Sequence, residues 1–204
     1  MLEIVRICEQ NSFYYNLYTE DEVIAKSLNY NVLFYHKENA KKSEEKRTHI
    51  NIVQDVEQYI KDSGTDKFLK ITICDESKYI FNKIVQILKE MKGIDILETE
   101  YMSNKIIKDG TEEILIQYYY TEITNQNVNK WSAIEFLINY LNIPKEEVVA
   151  IGDNLNDREM IENAGLGIVM GNSNPKMKEI EGVKVVADNN SEGVMDAINT
   201  YVLK

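Results

Sequence analysis

Residues 148–165 read VVAIGDNLNDREMIENAG, a short apolar run that passes into a loop containing Asp153 and Asp157. An apolar run of this length, rich in valine and followed by glycine, predicts a buried strand, and the residues after Asp157 predict a helix. In open α/β sheets, ligands bind beyond the carboxyl ends of the strands. Because Gly152 and Asp153 stand at such an end, the sequence predicts a functional site in this loop.

The pattern of short strands and helices continues on both sides of the loop. We predict helices at Lys130–Leu141 and near Asp157–Asn163, strands at Val148–Ile151 and Leu166–Met170, and then a further helix, strand and final helix. Short apolar strands that alternate with helices indicate a parallel sheet covered by helices on both faces. Residues 123–204 are therefore expected to form a Rossmann-like α/β domain.

Residues 1–122 are rich in tyrosine, lysine and β-branched residues and are expected to form a separate α/β domain. Aromatic and β-branched content predicts strands in four segments, SFYYNLYT, KFLKITICD, DILETEY and EEILIQYYYTEI. An amphipathic helix is predicted after the second segment, with Ile80, Ile84 and Leu88 near helical spacing. The charged run KENAKKSEEKRTH, residues 37–49, is expected to be a solvated helix face or a connection.

The charge balance limits what the protein can bind. Its 34 acidic residues against 23 basic ones give a net charge of −11, which repels nucleic acid and anionic membranes. No apolar run approaches the roughly 20 residues of a membrane span, and the N-terminus lacks a basic segment followed by an apolar one. Cys8 and Cys74 stand beside aliphatic residues, which indicates reduced core thiols rather than a disulfide or a metal site. We expect a cytoplasmic protein that binds neither nucleic acid nor membrane.

The two aspartates of the loop allow two interpretations. Asp153, at the end of a strand, could ligate Mg²⁺, which prefers oxygen ligands and usually binds one or two carboxylates together with waters. Asp157 could belong to the same site. Alternatively, Asp157 could be only an N-cap, favoured by the positive end of the helix dipole, and Asp153 only a turn residue. Spacing alone leaves both interpretations open.

A longer pattern extends the loop in both directions: Lys130, a gap of 21 residues, GDNLND, Met160, and AGLGIVMGNSNP from Ala164 to Pro175. This pattern resembles the third and fourth motifs of the haloacid dehalogenase-like hydrolases, and most closely the Cof-type phosphatases of subfamily IIB. The terminal DNNSEGVMDAI is similar to the family's ending. The resemblance covers residues 123–204. It implies a Rossmann-like core with residues 1–122 as an α/β cap domain, and a Mg²⁺-dependent phosphatase that acts on small phosphorylated metabolites.

The resemblance assigns roles to four residues. Asp153 would ligate Mg²⁺, and Asp157 would support the metal shell or position the loop. Asn156 would hydrogen-bond the phosphate, and Lys130 would neutralise the transferring phosphoryl group and its acceptor. Phosphoryl transfer is catalysed largely by positioning and by cations that face the equatorial oxygens, so a lysine suits this role. Lys130 could instead be a solvated residue at a helix start, although a cation is unfavourable there.

One departure from the family pattern lies beside this lysine. The family often has glycine there, whereas this chain has Asn127 and Trp131. Because asparagine tolerates positive φ, we expect the turn to form. We expect Trp131 to pack in the interior rather than to bind substrate.

The family's first motif, an apolar strand ending in DxDGT, supplies the aspartate that is phosphorylated during the reaction. Residues 1–23 do not contain it, and we expect only a short remnant of the core before the cap. The half-signature at Asp109, Gly110 and Thr111 has Ile107 at the position of the acceptor and is better explained as a hairpin turn.

Without an acceptor the chain alone should not turn over substrate. The strand before GDNLND should then have an unpaired edge, which predicts a homodimer or pairing with a missing N-terminal segment.

Three functions follow from these observations. The first is the cap and the C-terminal core half of a phosphatase of the family type. The second is a non-catalytic module for binding or dimerisation. The third is a response-regulator-like phosphoacceptor domain, which also places acids at strand ends. That domain requires an acidic pair near the first strand and an acceptor aspartate in mid-sheet, which we cannot assemble from this sequence.

Overall fold

The computed structural model describes residues 1–64, 67–97, 102–109 and 111–203. The chain forms two compact units, Met1–Gln126 and Asn127–Lys204. The division falls beyond residue 122 because the last strand of the first unit continues to Asn125.

The first unit combines a sheet with helices. Its helices are α1 (Leu2–Gln10), α2 (Tyr30–Asn39), α3 (Val56–Ser63) and α4 (Lys78–Lys89). Its strands are β1 (Tyr14–Tyr18), β2 (Glu22–Ala25), β3 (His49–Ile52), β4 (Lys70–Asp75), β5 (Ile94–Ile96), β6 (Ser103–Asp109) and β7 (Glu112–Asn125). The strand order is β3-β2-β1-β4-β7-β5, and β6 also pairs with β7. Neighbouring strands are antiparallel except for β2 and β3.

One face of this sheet packs against helices to form the core of the first unit. Strand alternation brings Leu17, Ile71 and Ile73 to this face, where none of them is exposed. Helix α1 adds Ile4 and Cys8 to the same core. Helix α1 therefore belongs to the first unit, which begins at Met1.

The sequence located some elements of the first unit and missed others, without regard to their length. All four predicted segments contain a strand, although the last residues of DILETEY lie outside the described residues. The predicted amphipathic helix is α4. The strands β2 and β3 and the helices α1, α2 and α3 were not predicted, although the charged run of residues 37–49 overlaps the end of α2. Strand β6 was implied only by the predicted hairpin turn at Asp109 and Gly110. A four-residue strand carries too little periodicity to be recognised alone, but α3 has a usable signal, because Asp55 caps it and Gly64 ends it in the left-handed region.

The second unit alternates helices and strands, as predicted. Its helices are α5 (Lys130–Leu141), α6 (Arg158–Asn163), α7 (Pro175–Lys178) and α8 (Gly193–Ala197), and a π-helical turn at Ile198–Val202 follows α8. Its strands are β8 (Val149–Gly152), β9 (Leu166–Val169) and β10 (Lys184–Val185), which form a parallel sheet of order β10-β9-β8.

Helices cover both faces of this parallel sheet. On one face, Val169 packs with Ile161 of α6 and Met177 of α7. On the other face, Ile168 packs with Ala197 of α8. Ile168 and Val169 are adjacent on β9, so their side chains point to opposite faces. The predicted fold class, a Rossmann-like parallel sheet with helices on both faces together with an α/β domain, is confirmed.

Strand β8 forms one edge of the parallel sheet. Within the described part of the chain it pairs only with β9, as the sequence predicted for this strand. Helix α5 of the same unit exposes large apolar side chains: Phe136 and Tyr140 are each 75% exposed, and Leu137 is 52% exposed. The second unit therefore has both an unpaired strand edge and an uncovered apolar helix face.

Both cysteine side chains are buried, and the helices are short. Cys8 and Cys74 are free and buried, as predicted. Burial raises the pKa of both thiols, that of Cys8 to about 12. Among the described residues, we find no helix that combines the length and the apolar character needed to cross a bilayer.

Candidate active site

The two aspartates lie at the carboxyl end of the parallel sheet, but in different environments. Strand β8 ends at Gly152, and a single 3₁₀ turn at Leu155–Asp157 leads into α6. Asp153 and Asn156 are exposed, whereas Asp157 is buried, with 3% exposure. Ligand access is therefore greatest at Asp153 and Asn156, and Asp157 acts from inside the loop.

The buried carboxylate of Asp157 binds three donors. Its Oδ2 accepts hydrogen bonds from the backbone N–H groups of Asp153 at 3.0 Å and Asn154 at 3.1 Å. Its Oδ1 accepts a hydrogen bond from Nζ of Lys130. Burial by itself raises the pKa of Asp157, but Lys130 and the two N–H groups outweigh burial and hold that pKa below its usual value. The ionised carboxylate thus fixes the loop, which favours the positioning role for Asp157.

Gly152 makes room for this carboxylate. A Cβ at residue 152 would lie 2.5 Å from Cβ and 2.9 Å from Oδ2 of Asp157. Real Cβ atoms do not approach other atoms so closely, so any larger residue at position 152 would displace the Asp157 side chain. The glycine of the GDNLND motif is therefore required by the packing of the last aspartate of the same motif.

Lys130 is the first residue of α5, and its position is fixed by the helix start. Ser132 N–H donates to the side chain of Asn129 at 2.9 Å, and the Asn129 N–H donates to Ser132 Oγ at 3.1 Å, which is a capping box. Asn127 has a φ of 69°, so the predicted turn with positive φ is confirmed. The Lys130 side chain is 50% exposed, so its ammonium is accessible to a ligand. A cation at a helix start is unfavourable, and the ion pair with Asp157 offsets this cost.

Trp131, the residue after Lys130, packs in the interior. It is buried, with 9% exposure, and Nζ of Lys145 lies 5.7 Å from its ring centroid. The prediction that Trp131 packs in the interior is confirmed.

The loop after β9 joins the site through Asn172. Asn172 Nδ2 lies 3.5 Å from Oδ2 of Asp153, and Asn172 Oδ1 accepts a hydrogen bond from the N–H of Asn189 at 3.0 Å. Asn174 N–H donates to the carbonyl oxygen of Asp153 at 3.2 Å. The sequence pattern contained Asn172 without giving it a role. Adjacent parallel strands end at the same sheet edge, and this rule could have placed Asn172 beside Asp153.

The donor atoms at this edge fit Mg²⁺ as a site with few protein ligands. Asp153 offers an exposed carboxylate, the hard oxygen donor that Mg²⁺ prefers, and Mg²⁺ commonly keeps several waters. The described residues contain no group of three or more His, Cys, Asp or Glu that could hold a metal ion. Ser173, beside Asn172, has a buried Oγ without a hydrogen-bond partner among the described residues. Asp153 would therefore hold the ion, with Asp157 supporting the loop behind it.

The half-signature lies in the first unit, between two paired strands. Asp109 ends β6 and pairs with Glu112 of β7 in the antiparallel register, so the predicted hairpin is confirmed. Gly110 itself lies outside the described residues. Ile107, at the acceptor position, is buried in the first unit with 3% exposure and has no group that could be phosphorylated.

Comparisons with known proteins agree with the fold and the motifs. A family described as haloacid dehalogenase-like hydrolase matches residues 1–198. A phosphoglycolate phosphatase of Methanothermobacter thermautotrophicus is 33% identical over 95 residues, which are 47% of this chain and 42% of that protein. Phosphatase YwpJ of Bacillus subtilis is 41% identical over 73 residues, which are 36% of this chain and 25% of that protein.

The fold as a whole resembles solved structures at low sequence identity. A haloacid dehalogenase-like hydrolase from B. subtilis has a TM-score of 0.68 and 19% identity, and the match covers 98% of this chain and 69% of that one. The aligned part of this chain spans less than half the length of the two curated relatives above.

Proposed function

The chain belongs to the haloacid dehalogenase-like hydrolases, and from this premise we propose that it provides the cap and the C-terminal core half of a Mg²⁺-dependent phosphatase. The first unit would serve as the α/β cap, and the second unit would carry Lys130, Asp153, Asn156 and Asp157. The substrate would be a small phosphorylated metabolite in the cytoplasm. Two curated relatives are named phosphatases, which supports this reaction class.

One observation carries the proposal: the ion pair between Lys130 and Asp157 at the carboxyl end of the parallel sheet. This pair brings a half-exposed ammonium to the loop that carries the exposed carboxylate of Asp153, and the buried carboxylate of Asp157 fixes that loop. A structural salt bridge would not require an exposed cation and an exposed acid on the same sheet edge. The arrangement suits a ligand with a phosphoryl group.

Each residue contributes a separate part of the chemistry. The Lys130 ammonium would donate to a phosphoryl oxygen and offset its negative charge. The Asn156 amide would donate to another oxygen of the same group. Asp157 holds the N–H groups of Asp153 and Asn154 and so keeps the loop in one conformation. Bound Mg²⁺, held by Asp153, would supply further positive charge at the phosphoryl oxygens.

These residues do not include a phosphate acceptor. An in-line carboxylate is required to form a phosphoaspartate, and the 204 residues contain no DxDGT sequence. We therefore propose that the chain alone does not turn over substrate and that a segment bearing DxDGT completes the site.

Hydrolysis of p-nitrophenyl phosphate with Mg²⁺ tests this proposal in two steps. The chain alone should hydrolyse the substrate no faster than buffer without protein. A fusion to a family segment bearing DxDGT should hydrolyse it faster. Asp153→Asn should abolish the gain, whereas Glu159→Gln, an exposed acid on α6, should leave it unchanged. Turnover by the chain alone would contradict the missing acceptor, and a fusion that folds but stays inactive would contradict the phosphatase assignment.

Binding of Mg²⁺ gives a readout that does not require activity. We expect the amide signals of residues 153–157 to shift on titration of the chain with MgCl₂ in an NMR spectrum. Asp153→Asn should remove these shifts, and Glu159→Gln should retain them. Equal shifts in the wild-type chain and in Asp153→Asn would show that Asp153 does not hold the ion.

A second candidate function, a non-catalytic binding or dimerisation module, is favoured by a different observation. The edge of β8 is unpaired within the described residues, and α5 exposes Phe136 and Tyr140. An exposed strand edge and an exposed apolar face both favour association. The proposed occupant is a second copy of the chain, and the molar mass of the chain in solution tests it.

A further inference from the structure

A polar cavity of about 150 Å³ lies in the first unit, on the face of the sheet opposite the apolar core. Its lining includes six hydroxyl-bearing residues: Tyr18, Tyr35, Thr72, Ser103, Tyr118 and Tyr120. Tyr18 and Thr72 alternate along their strands with the core residues Leu17, Ile71 and Ile73, which places them on the other face. One face of this sheet is therefore an apolar core, and the other lines a polar cavity.

Buried polar atoms beside the cavity lack well-formed hydrogen bonds. Thr72 is 2% exposed and lines the cavity, and its Oγ1 has no well-formed hydrogen bond among the described residues, although it interacts with the Tyr18 hydroxyl. Asn16 is fully buried directly across from Thr72 in the β1–β4 register, and its amide likewise has no well-formed hydrogen bond among those residues and interacts with the same hydroxyl. A buried polar group without a partner costs about 1–3 kcal/mol, and folded proteins rarely retain such groups without a reason.

The remaining polar groups of the cavity are neutral or already paired. Asn31 Nδ2 donates a hydrogen bond to the Tyr18 hydroxyl at 2.9 Å. The hydroxyl oxygens of Tyr18 and Tyr35 are 3.3 Å apart. Burial raises the pKa of Tyr18, Tyr118 and Tyr120, that of Tyr118 to about 12, so these phenols keep their protons. Each can donate a hydrogen bond as well as accept one.

The two charged residues of the lining have partners of their own. Glu122 accepts a hydrogen bond from Nζ of Lys70 at 2.7 Å. Nζ of Lys105 lies 5.1 Å from the ring centroid of Phe34, a cation–π distance. A ligand with hydroxyl groups would match the phenols of this lining, which both donate and accept hydrogen bonds.

We propose that the cavity binds a small uncharged polyol, whose hydroxyl groups pair with Thr72 and the neighbouring phenols. The volume of about 150 Å³ admits a compound the size of glycerol or erythritol. The proposal rests on the first unit alone and does not depend on the phosphatase function.

Titration of the full chain with erythritol, followed by amide signals in an NMR spectrum, tests the proposal. Amides of β1, β4 and β7 should shift along a saturable curve. Thr72→Val, which keeps the shape of the side chain, should weaken binding roughly tenfold through the loss of one hydrogen bond. It should also leave the thermal unfolding midpoint of the free chain unchanged or higher, because it removes a buried hydroxyl that has no well-formed hydrogen bond.

Thr121→Val is the matched control. Thr121 is buried on the opposite face of β7, and its hydroxyl already donates to the carbonyl of Leu97 at 2.7 Å. This variant should lower the unfolding midpoint and retain erythritol binding. The proposal is overturned by shifts that rise linearly without saturation, by equal binding to Thr72→Val and the wild-type chain, or by saturable binding of inorganic phosphate in place of erythritol.

Discussion

Nζ of Lys130 donates a hydrogen bond to Oδ1 of Asp157, which joins the first residue of α5 to the loop after β8. The other carboxylate oxygen of Asp157 holds two backbone N–H groups of that loop. One buried acid thus fixes both the cation and the loop that carries the exposed acid Asp153. The order of the site therefore depends on a residue that a ligand does not need to touch.

Asp157→Asn should reduce the free energy of unfolding by about 2 kcal/mol, because it removes charge-assisted hydrogen bonds from a buried group. Urea unfolding followed by circular dichroism measures the change. Asp153→Asn is the control, and as an exposed substitution it should stay within about 0.5 kcal/mol of the wild-type chain. Equal losses in the two variants would contradict the positioning role of Asp157.

Gly152→Ala should destabilise the chain by about 1–3 kcal/mol, because the added methyl group would overlap Cβ and the carboxylate of Asp157. The double variant with Asp157→Ala should lose less than the sum of the single losses, since part of the overlap is then absent. The same urea experiment measures all three variants. Strict additivity would show that the cost of Gly152→Ala arises elsewhere.

Cys8 and Cys74 should resist modification by 5,5′-dithiobis(2-nitrobenzoate) at pH 8. Both side chains are fully buried, and burial raises the pKa of both thiols, that of Cys8 to about 12. The reactive thiolate is therefore scarce and inaccessible. Absorbance at 412 nm should show two equivalents in denaturant and almost none in buffer. Rapid release of one equivalent from the native chain would contradict the burial of that thiol.

Glu57 should make stability depend on pH in the acid range. Hydrogen bonds from Arg6 and Lys61 lower its pKa from 4.5 to about 2. A depressed pKa in the folded state means that the contribution is complete above pH 4.5 and is lost as the pH falls towards 2.

The unfolding midpoint of Glu57→Gln should accordingly be lower than that of the wild-type chain at pH 6, and the two should converge near pH 2. The difference should be small and should shrink in high salt, because the pair is exposed. A constant difference across this pH range would rule out the ion pairs as its cause.

Self-association should depend on the exposed face of α5. Light scattering should give a molar mass above that of the 23.7 kDa chain, and Phe136→Lys with Tyr140→Lys should return it to the monomer value. Glu159→Lys on α6 changes the net charge by the same amount as the two added lysines together, so it is the charge-matched control and should not change the mass. A wild-type monomer at all concentrations would contradict the proposed dimer.

Much of the second unit could be predicted from the sequence. The alternation of apolar runs with helical segments identified the parallel sheet, and the GDNLND motif placed Asp153 at a strand end. These features are local, since a strand followed by a loop and a helix is written in consecutive residues. The turn at Asn127 was also predictable, because the conformation depends on one residue's tolerance of positive φ.

The sequence alone left open which aspartate binds a ligand and which supports the loop. Asp153 and Asp157 have the same chemistry four residues apart, and only the fold buries one beside Lys130 and exposes the other. Two other features also bring together residues that are distant in sequence. Asp153 lies near Asn172, and Asn16 lies across from Thr72 in the sheet. Burial and pairing of this kind depend on the whole packing, whereas motif and periodicity depend on neighbouring residues. For this reason the sequence determined the fold of the second unit, and only the tertiary structure decided which of its two aspartates is buried and paired and which is exposed.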